Sequence, residues 1–275
     1  MTIIESCLLG FLQGLTEFLP VSSSGHLVIV ETLLNYKPSA FLGFDLLLHL
    51  ATLLAVCLYF RRKLIELCVS LFSKRDNDSN RSDNRRLISA ILFSTFITGV
   101  IGLLLKDQFE AIRDISWGVG VSFIITGVLL LSTLYSKNSG TDKDELAINL
   151  WYFALIMGLI QGFAIIPGIS RSGSTVCAAL FLGASKSKSV EYSFLMSIPI
   201  ILIASVYKVF DTETAMITVA FVPAVIGFIV SLLSGIIFLW MLVWILKKDR
   251  LYQFAFYTIP LGFLVIGLYL TGFIK

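Results

Sequence analysis

Six long apolar runs, at about 41–60, 87–105, 116–135, 191–209, 216–246 and 251–273, constrain this chain more than any other feature. A helical bilayer crossing needs about 20 apolar residues. Only helices and closed barrels satisfy their own backbone in hydrocarbon, and barrel strands alternate apolar and polar with period two. These runs do not alternate, so they predict helices. Composition agrees: 57% of residues are hydrophobic and 14% charged, against about 25% charged in soluble domains. A soluble enzyme is excluded, and a net charge of +3 gives no reason to expect a nucleic-acid partner. The predicted fold class is an all-α polytopic membrane protein forming a single integral domain. The run at 216–246 is long for one crossing and holds Pro223, which predicts tilt or a kink.

Regions 3–34 and 148–183 are also apolar but are interrupted by Gly, Pro, Ser and charge. Non-helical backbone survives at membrane depth only where protein or a water-filled cavity satisfies it. Each region is therefore expected to be a broken or re-entrant helix pair. The first residues, Met1 to Glu5, lack the basic start of a cleaved signal peptide. Cys7, Cys57, Cys68 and Cys177 form no CxxC pair and are expected to be small buried hydrophobes.

Fifteen of the 21 Lys and Arg residues fall in segments 61–86, 136–147, 184–190 and 247–250. The positive-inside rule assigns those segments to the cytoplasm. Lys37, Lys106, Arg113, Lys208 and Lys275 lie on the other side, with Asp107, Glu110, Asp114, Asp211 and Glu213. Both termini are then expected outside.

The two broken regions share a pattern. Gly10, Gln13, Gly14, Ser22, Ser24 and Gly25 recur 148 residues later as Gly158, Gln161, Gly162, Ser170, Ser172 and Gly173. This predicts a repeat, with one copy at about 1–135, a second at about 148–275 and a cytoplasmic linker at about 136–147. Each copy is one broken region followed by three spans. Three is odd, so the second copy is expected to be inverted relative to the first, an arrangement that transporters use to build a buried polar site.

The candidate chemistry lies in the broken regions. Gln13 and Glu17 are four apart and share a helical face. A carboxylate within a membrane segment is costly and usually functional. Ser22, Ser23, Ser24 and His26 follow in a Pro/Gly-broken turn. In the second region, Pro167 to Thr175 reads as an anion cradle: Arg171 with the hydroxyls of Ser170, Ser172, Ser174 and Thr175 at a helix start. Each assignment has a plainer alternative. Arg171 can pair with Glu17 instead of a phosphate. His26 can be an inter-helix hydrogen bond. The serines can be packing or capping residues. Asp45 and His49, four apart in a span, can line the site or hold the fold. Gln161 is expected to be structural, and Glu5 and Glu31 to sit near interfacial helix ends.

The motifs Gln13-x-x-x-Glu17, Pro20-Val21-Ser22-Ser23-Ser24-Gly25-His26 and Pro167-Gly168-Ile169-Ser170-Arg171-Ser172-Gly173-Ser174-Thr175 resemble those of the undecaprenyl-diphosphate phosphatase family, the bacitracin-resistance proteins. The resemblance spans essentially the whole chain. It implies hydrolysis of undecaprenyl diphosphate to undecaprenyl phosphate and inorganic phosphate, which recycles the carrier lipid for cell-wall polymer synthesis and gives bacitracin resistance. It also implies the cytoplasmic membrane, an outward-facing site, two re-entrant helix pairs, and a divalent cation, Mg²⁺ or Ca²⁺. Gln13 stands where relatives have Glu or Gln, so the metal site has one carboxylate fewer than where both positions are Glu. Read onto this chain, Glu17, helped by Gln13, holds the metal. Ser170, Arg171, Ser172 and Thr175 bind phosphate, and His26 moves protons. Ser22, Ser23 or water is the nucleophile, and Asp45 and His49 stand in a second rank. The expected partners are the polyprenyl diphosphate and membrane lipids, with a homodimer left open. A transporter or flippase for an anionic lipid is the alternative activity. A phosphatidic-acid-type phosphatase is disfavoured, because its motif needs a histidine where this chain has Cys177.

Overall fold

The computed structural model describes residues 1–37, 41–72, 79–135, 149–210 and 219–274. The linker at 136–147, the side chain of Lys208, and Lys74, Arg75, Lys137, Lys143, Asp211, Glu213 and Lys275 lie outside that description. Among the described residues the secondary structure is helical: α1 (Ile3–Phe18), α2 (Ser23–Leu33), α3 (Leu42–Tyr59), α4 (Arg61–Phe72), α5 (Ser79–Leu104), α6 (Lys106–Arg113), α7 (Ser116–Ser132), α8 (Leu150–Phe163), α9 (Arg171–Phe181), α10 (Lys186–Phe210), α11 (Phe221–Lys247) and α12 (Ala255–Leu270). Six are long and apolar enough to cross a membrane: α3, α5, α7, α10, α11, and α12 with the 3₁₀ turn before it. The chain is a multi-pass helical membrane protein, as its apolar runs predict.

The differences lie at helix ends. Hydropathy marks where a helix leaves hydrocarbon, not where it stops. Hence α5 begins eight residues before the apolar run at 87, and its first turns carry Arg81, Arg85 and Arg86. The basic segment after α3 is itself a helix, α4, with Ile65, Val69 and Phe72 exposed. Pro223 does not interrupt α11. It sits in the first turn, where its missing N–H has no intrahelical partner to lose. Pro199 and Pro260 lie inside α10 and α12 instead. All four cysteines are free; Cys177 is buried, but Cys68 is exposed on α4.

Both broken regions are helix pairs. Thr2 and Glu5 form a reciprocal cap that starts α1. Leu19 precedes Pro20, which disfavours helix, and its extended backbone ends α1. Asn149 caps α8. The second helix of each pair starts on a serine. Ser22 Oγ accepts from the Gly25 N–H at 3.4 Å, and Ser170 Oγ accepts from the Gly173 N–H at 3.0 Å. These are matching positions of the sequence pattern.

The pairs are inserted by close helix crossings. α1 packs on α11 and α8 on α5. A Cβ added at Gly10 would stand 2.4 Å from the Gly227 carbonyl oxygen, and one at Gly158 would stand 2.7 Å from the Ser94 carbonyl oxygen. Helices meet this closely in membranes where small residues face each other. Hydroxyls finish the contacts: Ser6 donates to the Pro223 carbonyl (2.7 Å), Ser94 to that of Ala154 (2.7 Å) and Thr98 to that of Gly158 (3.0 Å). α1 therefore starts beside the start of α11, and α8 runs alongside α5 in the same direction. The starts of α5 and α10 and the end of α11 share one end of the molecule, pinned by Lys63–Glu191 (3.5 Å), Lys63–Asn84 (3.1 Å) and Lys186–Asp249 (2.6 Å). α1 and α8 thus enter from opposite ends.

Replacing Gly10 with Ala forces α1 and α11 apart. We expect a loss of about 1–3 kcal/mol, typical of overpacking, read as a lower melting temperature in detergent. Gly267→Ala, where an added Cβ meets nothing within 4 Å, should not lower it.

Candidate active site

The inner ends of the two helix pairs meet at a cavity of about 480 Å³. Glu17 stands at its inner end, on the last turn of α1. Its Oε2 accepts from Ser23 Oγ at 2.6 Å and from Gln13 Nε2 at 3.0 Å, and His49 Nε2 lies 3.5 Å away. Its Oε1 accepts from the Arg171 guanidinium. α1, α2, α3 and α9 thus converge on one carboxylate. Burial of an unpaired carboxylate costs far more than these contacts do, so the convergence is what makes Glu17 tolerable here.

The local backbone aims the serines. Ser22 has φ of +69°, a left-handed conformation that a non-glycine residue rarely adopts. That kink turns the chain straight from the end of α1 into α2 and sets Ser23, the first residue of α2, against Glu17. Strain at a site of this kind needs surrounding contacts to hold it. His26 supplies them. A backbone carbonyl can only accept, so His26 Nδ1 donates to the Ser22 carbonyl (2.7 Å), and Nε2 accepts from the Tyr257 hydroxyl of α12 (2.8 Å). The starts of α2 and α9 both reach the cavity, through Ser22, Ser23 and Ser24 on one side and Ser170, Arg171 and Ser172 on the other. Two positive helix ends, a cluster of serine hydroxyls and a guanidinium make a site for an anion.

Charge continues along α3. His49 Nδ1 donates to the Asp45 carbonyl at 2.8 Å, which leaves Nε2 facing Glu17. One turn earlier, the Asp45 carboxylate accepts from Arg113 of α6, and Glu31 Oε2 of α2 lies 3.5 Å from the same guanidinium. Glu31 is fully buried, not interfacial as expected from its position in the sequence. Its two oxygens have no hydrogen-bond partner among the described residues.

Comparison with known proteins decides the family. The family model for the bacitracin resistance protein BacA matches residues 6–264. The chain belongs to the BacA family. It is similar to the undecaprenyl-diphosphatase of Treponema denticola, 42% identical over 275 residues covering 99% of both chains. It is also similar to undecaprenyl-diphosphatase 2 of Halalkalibacterium halodurans, 40% identical over 271 residues (96% of this chain, 95% of the relative). The undecaprenyl-diphosphatase of Alkaliphilus metalliredigens is 38% identical over 274 residues, with 97% and 98% covered.

The residues singled out in the sequence divide into two groups in this structure. Glu17, Ser22, Ser23, Ser170, Arg171, Ser172, Asp45 and His49 line the cavity. His26, Thr175 and Gln13 stand behind it. Thr175 Oγ1 donates to the Arg171 carbonyl (2.7 Å) and lies 2.6 Å from Ser193 Oγ, which fixes the first turn of α9. Gln13 supports Glu17 from the preceding turn and touches Thr52 at 3.4 Å. Gln161 donates to Thr98 at 3.2 Å, the structural use expected of it. Arg113 and Tyr257 escaped the sequence reading. Nothing local in either segment marks them, because each acts through a residue on a distant helix. The one available clue was Asp45, a carboxylate inside an apolar span.

Arg113→Ala should cost about 3–5 kcal/mol of stability, the usual result of removing one partner from a buried ion pair. Adding Glu31→Gln and Asp45→Asn to that variant should restore most of the loss in melting temperature. A triple variant no more stable than Arg113→Ala would mean that Arg113 acts by packing rather than by charge.

Proposed function

We propose that the chain hydrolyses undecaprenyl diphosphate to undecaprenyl phosphate and inorganic phosphate at this cavity, recycling the carrier lipid for envelope polymer synthesis. One observation carries the assignment: a serine hydroxyl held 2.6 Å from a carboxylate that also binds an arginine, at the inner end of an anion-binding cavity. Relatives bearing this activity in their names match over nearly the whole chain. Transport of the same lipid would need no such serine–carboxylate contact.

Ser23 is the nucleophile on this account. Ser22 is committed to capping α2 and to the kink, whereas the Ser23 proton already points at Glu17. Attack of Ser23 Oγ on the terminal phosphorus passes its proton to Glu17 Oε2. The bond from that phosphorus to the bridging oxygen breaks, and undecaprenyl phosphate leaves. Water then cleaves the phosphoserine, releasing phosphate and returning the proton to Ser23. Arg171 turns from Glu17 to the phosphoryl oxygens, with Ser170 and Ser172 beside it, and balances the charge that develops there. His26 holds Ser22 and Ser23 in register, and His49 stabilises the charge of Glu17.

A divalent cation fits this donor set only with the help of substrate. Among the described residues no three His, Cys, Asp or Glu side chains form a metal site. The uncommitted oxygen beside Glu17 is Gln13 Oε1, which is buried and unpartnered. Mg²⁺ is commonly bound by one or two protein oxygens together with substrate phosphates. Glu17 and Gln13 would hold it here, and it would neutralise diphosphate charge.

The same proposal places the protein in the cytoplasmic membrane. The end carrying Lys63, Arg85, Lys186 and Lys247 faces the cytoplasm, while the cavity and both termini face outward. The opposite entry of α1 and α8 supports reading the two halves as an inverted repeat.

Arg171→Ala should lower phosphate release by about 10²-fold or more. Ser23→Ala should abolish it, while Ser22→Ala should lose stability first. Radiolabelled phosphate should be trapped on Ser23 on acid quench. A single inversion at phosphorus would instead mean direct attack by water and would remove Ser23 from this role.

A further inference from the structure

One helix outside the six spans turns an apolar face away from the protein. α4 has 12 residues, about 18 Å of helix against roughly 30 Å of hydrocarbon, so it does not cross a membrane. Its two sides are distinct. Leu67 and Ser70 are buried and Lys63 is half-buried, all toward the bundle. Ile65, Cys68, Val69 and Phe72 are exposed, Phe72 by 86%. Their spacing of i, i+3, i+4 and i+7 makes one helical stripe. Arg61 stands four residues before Ile65, and Arg62 seven before Val69, so two exposed arginines head the same stripe.

Two contacts set the direction of α4. Lys63 Nζ donates to Asn84 at 3.1 Å, and Arg85 Nε donates to the Ser70 carbonyl at 2.8 Å. Lys63 and Ser70 are about 10 Å apart along a helix, yet their partners are neighbours in α5. A helix running alongside α5 would shift its contacts by as many residues as it advances. α4 therefore lies across α5. Leu67 joins the same apolar cluster as Ala90 and Ile91, inside the run that begins at 87, so the crossing is at the level where α5 enters hydrocarbon. α3 marks the same level: it is a span that ends at Tyr59, with Phe60 alone between it and α4.

That level decides the occupant. A helix lying across the spans at the membrane boundary presents its outer face to lipid, and an apolar stripe suits the acyl region there. Charge selects the headgroup. α4 and the start of α5 carry Arg61, Arg62, Lys63, Arg81, Arg85 and Arg86 against Glu66 and Asp83, and a basic surface of this kind attracts anionic lipid.

We infer that α4 is an interfacial anchor that seats anionic phospholipid, with the stripe among the acyl chains and Arg61 and Arg62 on the headgroup phosphate. The inference does not rest on the phosphatase assignment. Lys63, on the opposite face, ties α4 to Glu191 at the start of α10 (3.5 Å), so lipid seated here steadies the basic end of the bundle.

The test places a bimane label on Cys68 in a Cys7→Ser/Cys57→Ser chain, Cys177 being buried. In nanodiscs, phospholipid brominated on its acyl chains should quench the label. An unquenched label would put the stripe in water or against protein and overturn the anchor. Quenching that disappears as the chain is concentrated in the bilayer would assign the stripe to a second copy instead, and would also overturn it. In detergent, phosphatidylglycerol should shift the emission at a lower mole fraction than phosphatidylcholine. Arg61→Gln/Arg62→Gln should raise the phosphatidylglycerol needed by at least about fivefold, the weight of one basic group near a charged surface. Arg61→Lys/Arg62→Lys should keep most of the response. Lys247→Gln/Arg250→Gln, which removes the same charge from the same end, should keep it as well. Equal losses in the two Gln variants, or equal responses of the native chain to both lipids, would overturn the seat at α4. The quenching measurement leaves both arginines in place, so it stands even where the Gln variant fails to fold.

Discussion

The contact between Glu17 and Arg171 joins the two halves of the chain at membrane depth, and the rest of the structure can be read as what makes that contact affordable. Neither charge would be stable alone in a low-dielectric interior. Together, with Ser23, Gln13 and His49 on the carboxylate, they form a buried but satisfied group. Two helix pairs must enter from opposite ends for it to form. The glycine-lined crossings of α1 on α11 and α8 on α5 set how deeply each pair sits. A shift of one turn at either crossing would move the carboxylate or the guanidinium by about 5 Å and separate them.

The same contact explains how a resting site keeps an arginine ready for an anion. Glu17 neutralises Arg171 until a more highly charged group arrives. A diphosphate competes well for a planar guanidinium, since bidentate oxygens are what that fork fits. On the proposed mechanism, Arg171 would turn to phosphate, and Glu17, having lost a cation, would become a better proton acceptor for Ser23, so that binding the substrate would arm the nucleophile. The Asp45–Arg113–Glu31 cluster one turn along α3 keeps a second guanidinium at the cavity wall, anchored by carboxylates from two other helices.

Much of this was legible in the sequence because membranes simplify folding. Apolar run length marks spans, and a Gly/Pro/Ser interruption inside such a run has few outcomes other than a helix pair around a polar site. Glu17 and the Ser-Arg-Ser start of α9 stood out in the sequence, and the structure brings them together at one cavity. What stayed hidden depended on helix rotation and on partners far along the chain. His26 looked like the histidine of the site, yet its ring turns toward Tyr257 on α12, and His49, which the sequence left between lining the site and holding the fold, faces Glu17 instead. Glu31 looked interfacial because it lies near an expected helix end, but α2 packs it inward against Arg113. Run lengths carry no information on rotation about a helix axis, and the hydrophobic signal is weak where every face is apolar. The helices α4 and α6 were missed for a related reason: their charged sequences read as loops when only hydropathy is weighed.

The central claim is that Glu17, held by Arg171, is the group on which catalysis turns. The most direct measurement is phosphate release from undecaprenyl diphosphate by the purified chain beside Glu17→Gln, an isosteric change that keeps the side-chain shape and removes the charge. The account predicts sustained turnover by the native chain, and a Glu17→Gln protein that is folded and binds the lipid yet releases almost no phosphate. Near-native turnover by Glu17→Gln would contradict it, since neither the proton transfer from Ser23 nor the arming of Arg171 could then depend on that carboxylate.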